Sequence, residues 1–128
     1  MRKINFRVWN TLLKNYLPDD SVCILPNGDI VLYNLAAMIA AYKRPSDMLE
    51  GENIVEQSTN LKDKNGTEIY EGDILIDDTG EPIEYWVVKF SDGGFVGECA
   101  GVAEPLFELT NLEVVGNIHE DSELVEEK

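Results

Sequence analysis

The stretch DILIDDTGEPIEYWVVKFSDGGFVGEC, residues 73–99, decides the fold. It contains three apolar runs, Asp73 to Ile76, Ile83 to Phe90 and Phe95 to Cys99, each too short for an ordinary helix. Between them lie Asp78-Thr79-Gly80-Glu81-Pro82 and Ser91-Asp92-Gly93-Gly94, residues that take positive φ or bond their own backbone. Short apolar runs cut at close intervals by turn chemistry predict antiparallel strands joined by hairpins.

The same cadence continues outward. Upstream lie Ile54 to Thr59 and Glu68 to Tyr70, separated by Asn65-Gly66 and followed by the Glu71-Gly72-Asp73 corner; downstream lies Leu112 to Ile118. The pattern is that of a small SH3-like barrel, an analogy of fold that carries no function with it. Toward the N-terminus, Ile4, Phe6 and Val8 alternate with Asn5, Arg7 and Trp9, predicting a half-buried strand with Trp9 on its polar side. Leu12, Leu13, Tyr16 and Leu17 form a connection of no clear period. Val22 to Leu25 and Ile30 to Tyr33 flank Pro26-Asn27-Gly28-Asp29, a hairpin signal because Asn-Gly suits a type I′ turn. One short helix is predicted from Asn34 to Tyr42, capped by Asn34, closed by Lys43-Arg44 and stopped by Pro45, with Leu35, Met38, Ile39 and Tyr42 buried.

The predicted organisation is a mainly β chain: an N-terminal β-hairpin and helix lobe over residues 1–45, a linker over 46–53, a small pseudo-barrel lobe over 54–119 and an acidic tail over 120–128.

With 128 residues and 44% hydrophobic content, the chain has enough apolar material for one compact domain or two small lobes, and too few residues for a large multidomain enzyme. Its longest apolar run, Leu35 to Tyr42, falls short of the about 20 residues a membrane helix needs. Arg2 and Lys3 resemble the start of a signal peptide, but Asn5, Arg7, Asn10 and Lys14 interrupt the apolar segment that must follow. A cytoplasmic location is therefore expected. Cys23 and Cys99 are isolated, so both are read as reduced packing residues.

Ten Lys and Arg against 25 Asp and Glu give a net charge of -15. The charge is uneven: Arg2, Lys3, Arg7 and Lys14 precede the first acid, Asp19, whereas from Glu68 to Glu127 the only basic residue is Lys89. The acidic half repels phosphate, which opposes nucleic-acid binding without forbidding a contact from the basic N-terminus.

No catalytic constellation stands out. Neither a P-loop nor GxGxxG occurs, Asp63-Lys64-Asn65-Gly66 lacks the distal ligands of a calcium loop, and the sole histidine, His119, has no Cys nearby. Asp73 is read as bonding freed backbone amides at the Gly72 corner. No catalytic, cofactor or metal residue is assigned. The candidate partner-binding residues are Trp86, Asp77, Asp78, Glu81 and Glu84. Tyr85 and Trp86, adjacent on one strand, point to opposite faces, so one of them is free to mark an interface. The four acids fall on a hairpin tip and its strand.

Three blocks carry a family resemblance. The run Leu61-Lys62-Asp63-Lys64-Asn65-Gly66-Thr67-Glu68-Ile69-Tyr70-Glu71-Gly72-Asp73-Ile74 resembles the signature of the YopX family of phage and prophage proteins. Phe6-Arg7-Val8-Trp9 is similar to that family's opening, and Leu112 to Leu124 is similar to its closing block. Ser58 and Asn60 depart from the pattern, standing where the family often has Tyr and Gly. The resemblance implies a β-rich pseudo-barrel encoded by a temperate phage or prophage in a bacterial host, and no enzymatic reaction.

The expected function is a non-enzymatic accessory protein that works by protein contacts or self-assembly. An acidic decoy occupying a nucleic-acid-binding host protein is one alternative. A nucleic-acid binder using Arg2, Lys3, Arg7 and Lys14, with Trp9 stacking a base, is another. A small hydrolase built around Asp73 or His119 is a third.

Overall fold

The structure, a computed structural model, describes residues 5–18, 22–24, 26, 30–32 and 53–125. The chain divides into two compact units, Phe6–Glu56 and Gln57–Lys128 with Met1–Asn5. The expected helix from Asn34 to Tyr42, its buried residues and the linker over 46–52 lie outside the described residues. So do Arg2 and Lys3.

In the first unit, β1 (Phe6–Asn10) pairs antiparallel with β2 (Asn15–Tyr16), Trp9 opposite Tyr16. The connection without a clear period is thus a hairpin turn. Asn10 builds it. Its side-chain oxygen accepts the Leu12 and Leu13 amides at 3.0 and 2.9 Å, its carbonyl accepts Lys14 N, and its amide nitrogen donates to Asn53 Oδ1 at 2.8 Å. Asn10 is fully buried with its polar atoms engaged, as burial of an amide requires. The signalled hairpin also forms: β3 (Val22–Ile24) pairs with β4 (Ile30–Leu32), Cys23 opposite Val31.

Trp9 corrects the reading of the first strand. It is 5% exposed, and Val8, Trp9 and Asn10 are buried in succession, while Phe6 is 39% exposed. Both faces of the strand end are covered because Trp9 packs edge-on against Tyr16 across the hairpin, centroids 5.0 Å apart. The Arg7 guanidinium sits 4.5 Å over the same Tyr16 ring. Glu56, 4% exposed, accepts both Arg7 Nε and the Tyr16 hydroxyl at 2.9 Å. A polar period at Arg7 therefore marks a paired buried charge.

Strand β5 spans Asn53–Lys62. Within the second unit its later half pairs with β6 (Glu68–Tyr70), Ser58 opposite Tyr70 and Lys62 opposite Glu68, with a register shift between. The shift falls around Asn60, whose φ is +63°. Asn is among the few side chains that tolerate this conformation, so it takes up the positive φ at a place where the family often carries Gly.

The remaining strands are β7 (Asp73–Asp77), β8 (Glu84–Ser91), β9 (Gly94–Cys99), β10 (Val102–Pro105) and β11 (Glu113–Asn117). They form one antiparallel sheet in the order β10-β9-β8-β7-β11, curled as a half-barrel. The mainly β, barrel-like fold is as expected from the hairpin cadence. In this sheet, strand β10 is the strand without a sequence signal. It follows a two-residue turn of Ala100 and Gly101, both at positive φ (+50° and +83°), and alanine gives no warning of that conformation.

The core of this unit holds Ile69, Leu75, Trp86, Val88, Leu106, Leu109 and Leu112, with Leu61, Phe95, Cys99 and Val114 packed against it. Leu75 faces Trp86 across β7 and β8, placing both on the inner surface. A single-turn 3-10 helix, Leu106–Glu108, brings Leu106 and then Leu109 over the sheet. Leu109 lies directly on Gly97 of β9, where a side chain would collide with it.

Candidate interaction site

Two aspartates of the central motif, Asp63 and Asp73, are buried, and their geometry shows how much they hold. Asp63, 7% exposed, accepts three backbone amides: Asn65 N at 2.9 Å and Thr67 N at 2.8 Å on Oδ1, and Val114 N at 2.9 Å on Oδ2. Burial alone would raise its pKa. The amides of Val114, Thr67 and Asn65, with the Lys64 charge, outweigh burial and hold the carboxyl below its ordinary value. One carboxylate thus shapes its own turn and ties that turn to β11, whose start is also held by Lys64 N donating to the Leu112 carbonyl at 3.1 Å.

Asp73, 3% exposed, accepts Tyr70 N at 2.8 Å. Gly72 between them has φ of +85°; its amide donates to the Val88 carbonyl, and its own carbonyl accepts Ile118 N, both at 2.9 Å. The corner thereby joins β8 to the closing block. In that block Asn117 Oδ1 accepts the amides of His119 and Glu120, and Asp121 Oδ2 accepts Asn117 N. Glu68 is held ionised below its usual range by Ser58 and Asn5, with burial opposing and Tyr70 and Lys62 assisting. These acids are therefore engaged in the structure of the unit.

Of the expected partner-binding residues, the four acids lie together around the β7–β8 turn, whereas Trp86 does not join them. Trp86, expected as the interface marker, is 8% exposed and lies in the core, so its candidacy is corrected: the β7–β8 register turns it inward with Leu75. Tyr85, on the other face, is half-buried. Asp77 and Glu84 are opposite one another in register, and Asp78, Glu81 and Glu84 are exposed around the β7–β8 turn. Asp77 Oδ1 accepts the Thr79 hydroxyl at 2.6 Å and its amide at 3.1 Å, which keeps that carboxyl below its ordinary value. Among the described residues, no group of three or more His, Cys, Asp or Glu is arranged to hold a metal ion.

The nucleic-acid reading named Arg7 and Trp9. Arg7 is ion-paired to Glu56, and Trp9 is buried against Tyr16, so neither presents a stacking or phosphate-binding face.

A different surface is open. At the β8–β9 end of the sheet a groove of about 590 Å³ is lined by Leu61, Phe95, Val96, Pro105, Leu106 and Phe107, with Asp92 and Glu104 as its charged residues. Phe90 and Phe95 face each other across the hairpin, rings 5.2 Å apart and nearly perpendicular. Strand alternation puts Phe90 on the same face as Trp86 and Val88, yet it is 55% exposed: the core face runs on past the core at this end. Phe107 is 68% exposed. A cluster of large apolar groups left open to water is the usual mark of a docking surface. The adjoining β10 edge is a weaker template for strand addition, because Pro105 has no amide to donate. The sequence held one signal for this groove, the Pro105-Leu106-Phe107 run, but its exposure depends on the unrecognised β10.

A second hollow, lined by Ile83, Glu84, Tyr85, Cys99, Leu124 and Val125 among others, holds a free thiol. Burial raises the Cys99 pKa, the Glu84 carboxylate adds to this, and a backbone bond at Tyr85 opposes it. A thiol shifted this way is a poor nucleophile. Among the described residues no helix is long and apolar enough to cross a membrane.

Comparison with known proteins agrees with the resemblance. The family model described as YopX protein matches residues 5–126. Among solved structures, the chain is similar to the crystal structure of protein EF1440 from Enterococcus faecalis, at 26% identity and a TM-score of 0.60, covering 97% of this chain and 99% of that one. No curated protein matches the sequence.

Proposed function

The chain belongs to the YopX family, and from that premise we propose that it is a non-enzymatic accessory protein of a phage or prophage that works by docking a protein partner in the groove beside Phe107. The observation that carries this reading is the exposure of Phe90 and Phe107 at the open end of a core otherwise closed by Leu106 and Leu109. Aromatic side chains in such a position bury large area at small entropic cost when a partner covers them. The carboxylates of the family-like motif support it differently: Asp63 and Asp73 are spent on backbone amides, and the Cys99 thiol is raised away from reactivity.

The test is affinity capture from lysogenic host lysate with the natural protein and Phe107→Glu side by side, both checked by circular dichroism. A partner retained by the first and lost by the second supports the reading. Identical capture by two equally folded proteins removes the groove from it.

A further inference from the structure

We infer that the groove accepts a basic amphipathic segment, one that inserts an apolar side chain between Phe95, Leu106 and Phe107 and sets lysine or arginine against Asp92 and Glu104; this rests on the docking reading above. The argument is charge complementarity. The residues lining the groove include two carboxylates and no Lys, Arg or His. Glu108 follows Phe107 and is also exposed. Between Glu68 and Glu127 the only Lys or Arg is Lys89, which is paired with Glu98 at 2.9 Å and does not line the groove; Lys62 follows the lining Leu61 but is not itself in the lining. An acidic partner would bring its charges against Asp92 and Glu104 with nothing to offset them, and like charges brought together at an interface are unfavourable. A second copy of the chain carries the same net charge of -15 and meets the same repulsion. The floor, meanwhile, is apolar, so charge alone does not satisfy it: the occupant needs both an apolar anchor and flanking cations.

The probes are three synthetic heptapeptides in which leucine and phenylalanine alternate with lysine, with serine or with glutamate. Each is titrated into the isotope-labelled full chain while backbone amide resonances are followed. The lysine peptide is expected to shift the amides of Phe95, Ala103 and Phe107 saturably, and more weakly at high salt. Phe107→Ser should weaken that binding about tenfold or more. Asp92→Asn and Glu104→Gln should each weaken it about two- to fivefold, the range of exposed ion pairs. Phe107 and Asp92 are exposed and Glu104 is half-buried with a near-isosteric replacement, so these variants are expected to fold.

Groove binding by the serine or glutamate peptide as tight as that of the lysine peptide overturns the basic preference and leaves the docking reading standing. Concentration-dependent groove shifts without peptide overturn it in favour of a second copy. Shifts that gather at Asp77 to Glu84 and ignore Phe107→Ser, or no shift with any peptide, overturn both.

Discussion

Replacing Asp63 by asparagine tests whether the central motif is a structural tie. The substitution keeps the shape of the side chain but leaves one acceptor oxygen. That oxygen can still serve Asn65 N and Thr67 N, which then turns the new NH2 group toward Val114 N, donor against donor. One charge-assisted hydrogen bond, worth about 1.5–3 kcal/mol, is lost, and the two survivors weaken to neutral bonds of about 1 kcal/mol. The Val114 amide is left unpaired. Together these make a loss of about 3 kcal/mol or more, a large part of the about 5–15 kcal/mol that holds a domain of this kind. Urea unfolding at pH 7 measures it as a fall in midpoint of about 1–3 M. The pH dependence supplies an independent sign. The folded pKa of Asp63 lies below its ordinary 3.8, so its ionised form stabilises the fold fully above that value. The stability gap between the natural protein and the Asp63→Asn variant should therefore hold steady from pH 7 to about pH 5. It should narrow as pH falls through the folded pKa. A loss under about 0.5 kcal/mol at pH 7, or a gap unchanged down to about pH 2, would refute the reasoning.

Gly72→Val places a β-branched residue at φ +85° in a buried corner and should cost more than about 2 kcal/mol, with Gly72→Ala costing less; an unchanged urea midpoint would show that the corner was misread. Ala100→Asn should stabilise the second unit by about 1 kcal/mol, since Asn-Gly suits the turn that Ala100 and Gly101 make under strain; a lower thermal midpoint would count against a type I′ turn there. Gly97→Val should lose about 1–3 kcal/mol by displacing Leu109, read in the same denaturation assay. In a Cys23→Ser background, Cys99 should react with a disulfide reagent at about pH 8 more slowly than free cysteine does, because burial and Glu84 raise its pKa; a faster reaction contradicts that placement.

The parts of the fold that announce themselves in the sequence are those whose local chemistry has one answer. Asp92-Gly93, at φ +52° and +83°, makes a hairpin that the residues specify unaided, and β8 and β9 lie within a residue or so of their expected bounds. Ala100 gives the opposite result. It makes a turn of the same kind against its own preference, so β10 was invisible, and with β10 went the wall that turns Pro105, Leu106 and Phe107 into a groove. Trp9 failed for a different reason. Period two assigns one face to the core, but Tyr16 and the Arg7–Glu56 pair cover the other face as well, and that pairing spans 49 residues of sequence.

Apart from Leu61, which belongs to both, the family-like residues and the candidate site occupy different places, for a physical reason. Asp63, Gly72, Asp73 and Asn117 each satisfy backbone groups that a curled sheet would otherwise strand, and each does so with side-chain or backbone geometry few other residues provide. Such residues form a quotable motif, because the alternatives at those positions are few. Phe90, Phe95 and Phe107 need only be large and apolar, so they form no motif at all; Phe90 meets Phe95 only across the β8–β9 hairpin, and Phe107 reaches the groove only through the turn that follows β10. The signature thus identifies the scaffold. The proposed docking preference rests instead mostly on positions where the signature is silent, beginning with the charge that Asp92 and Glu104 set beside an open aromatic floor.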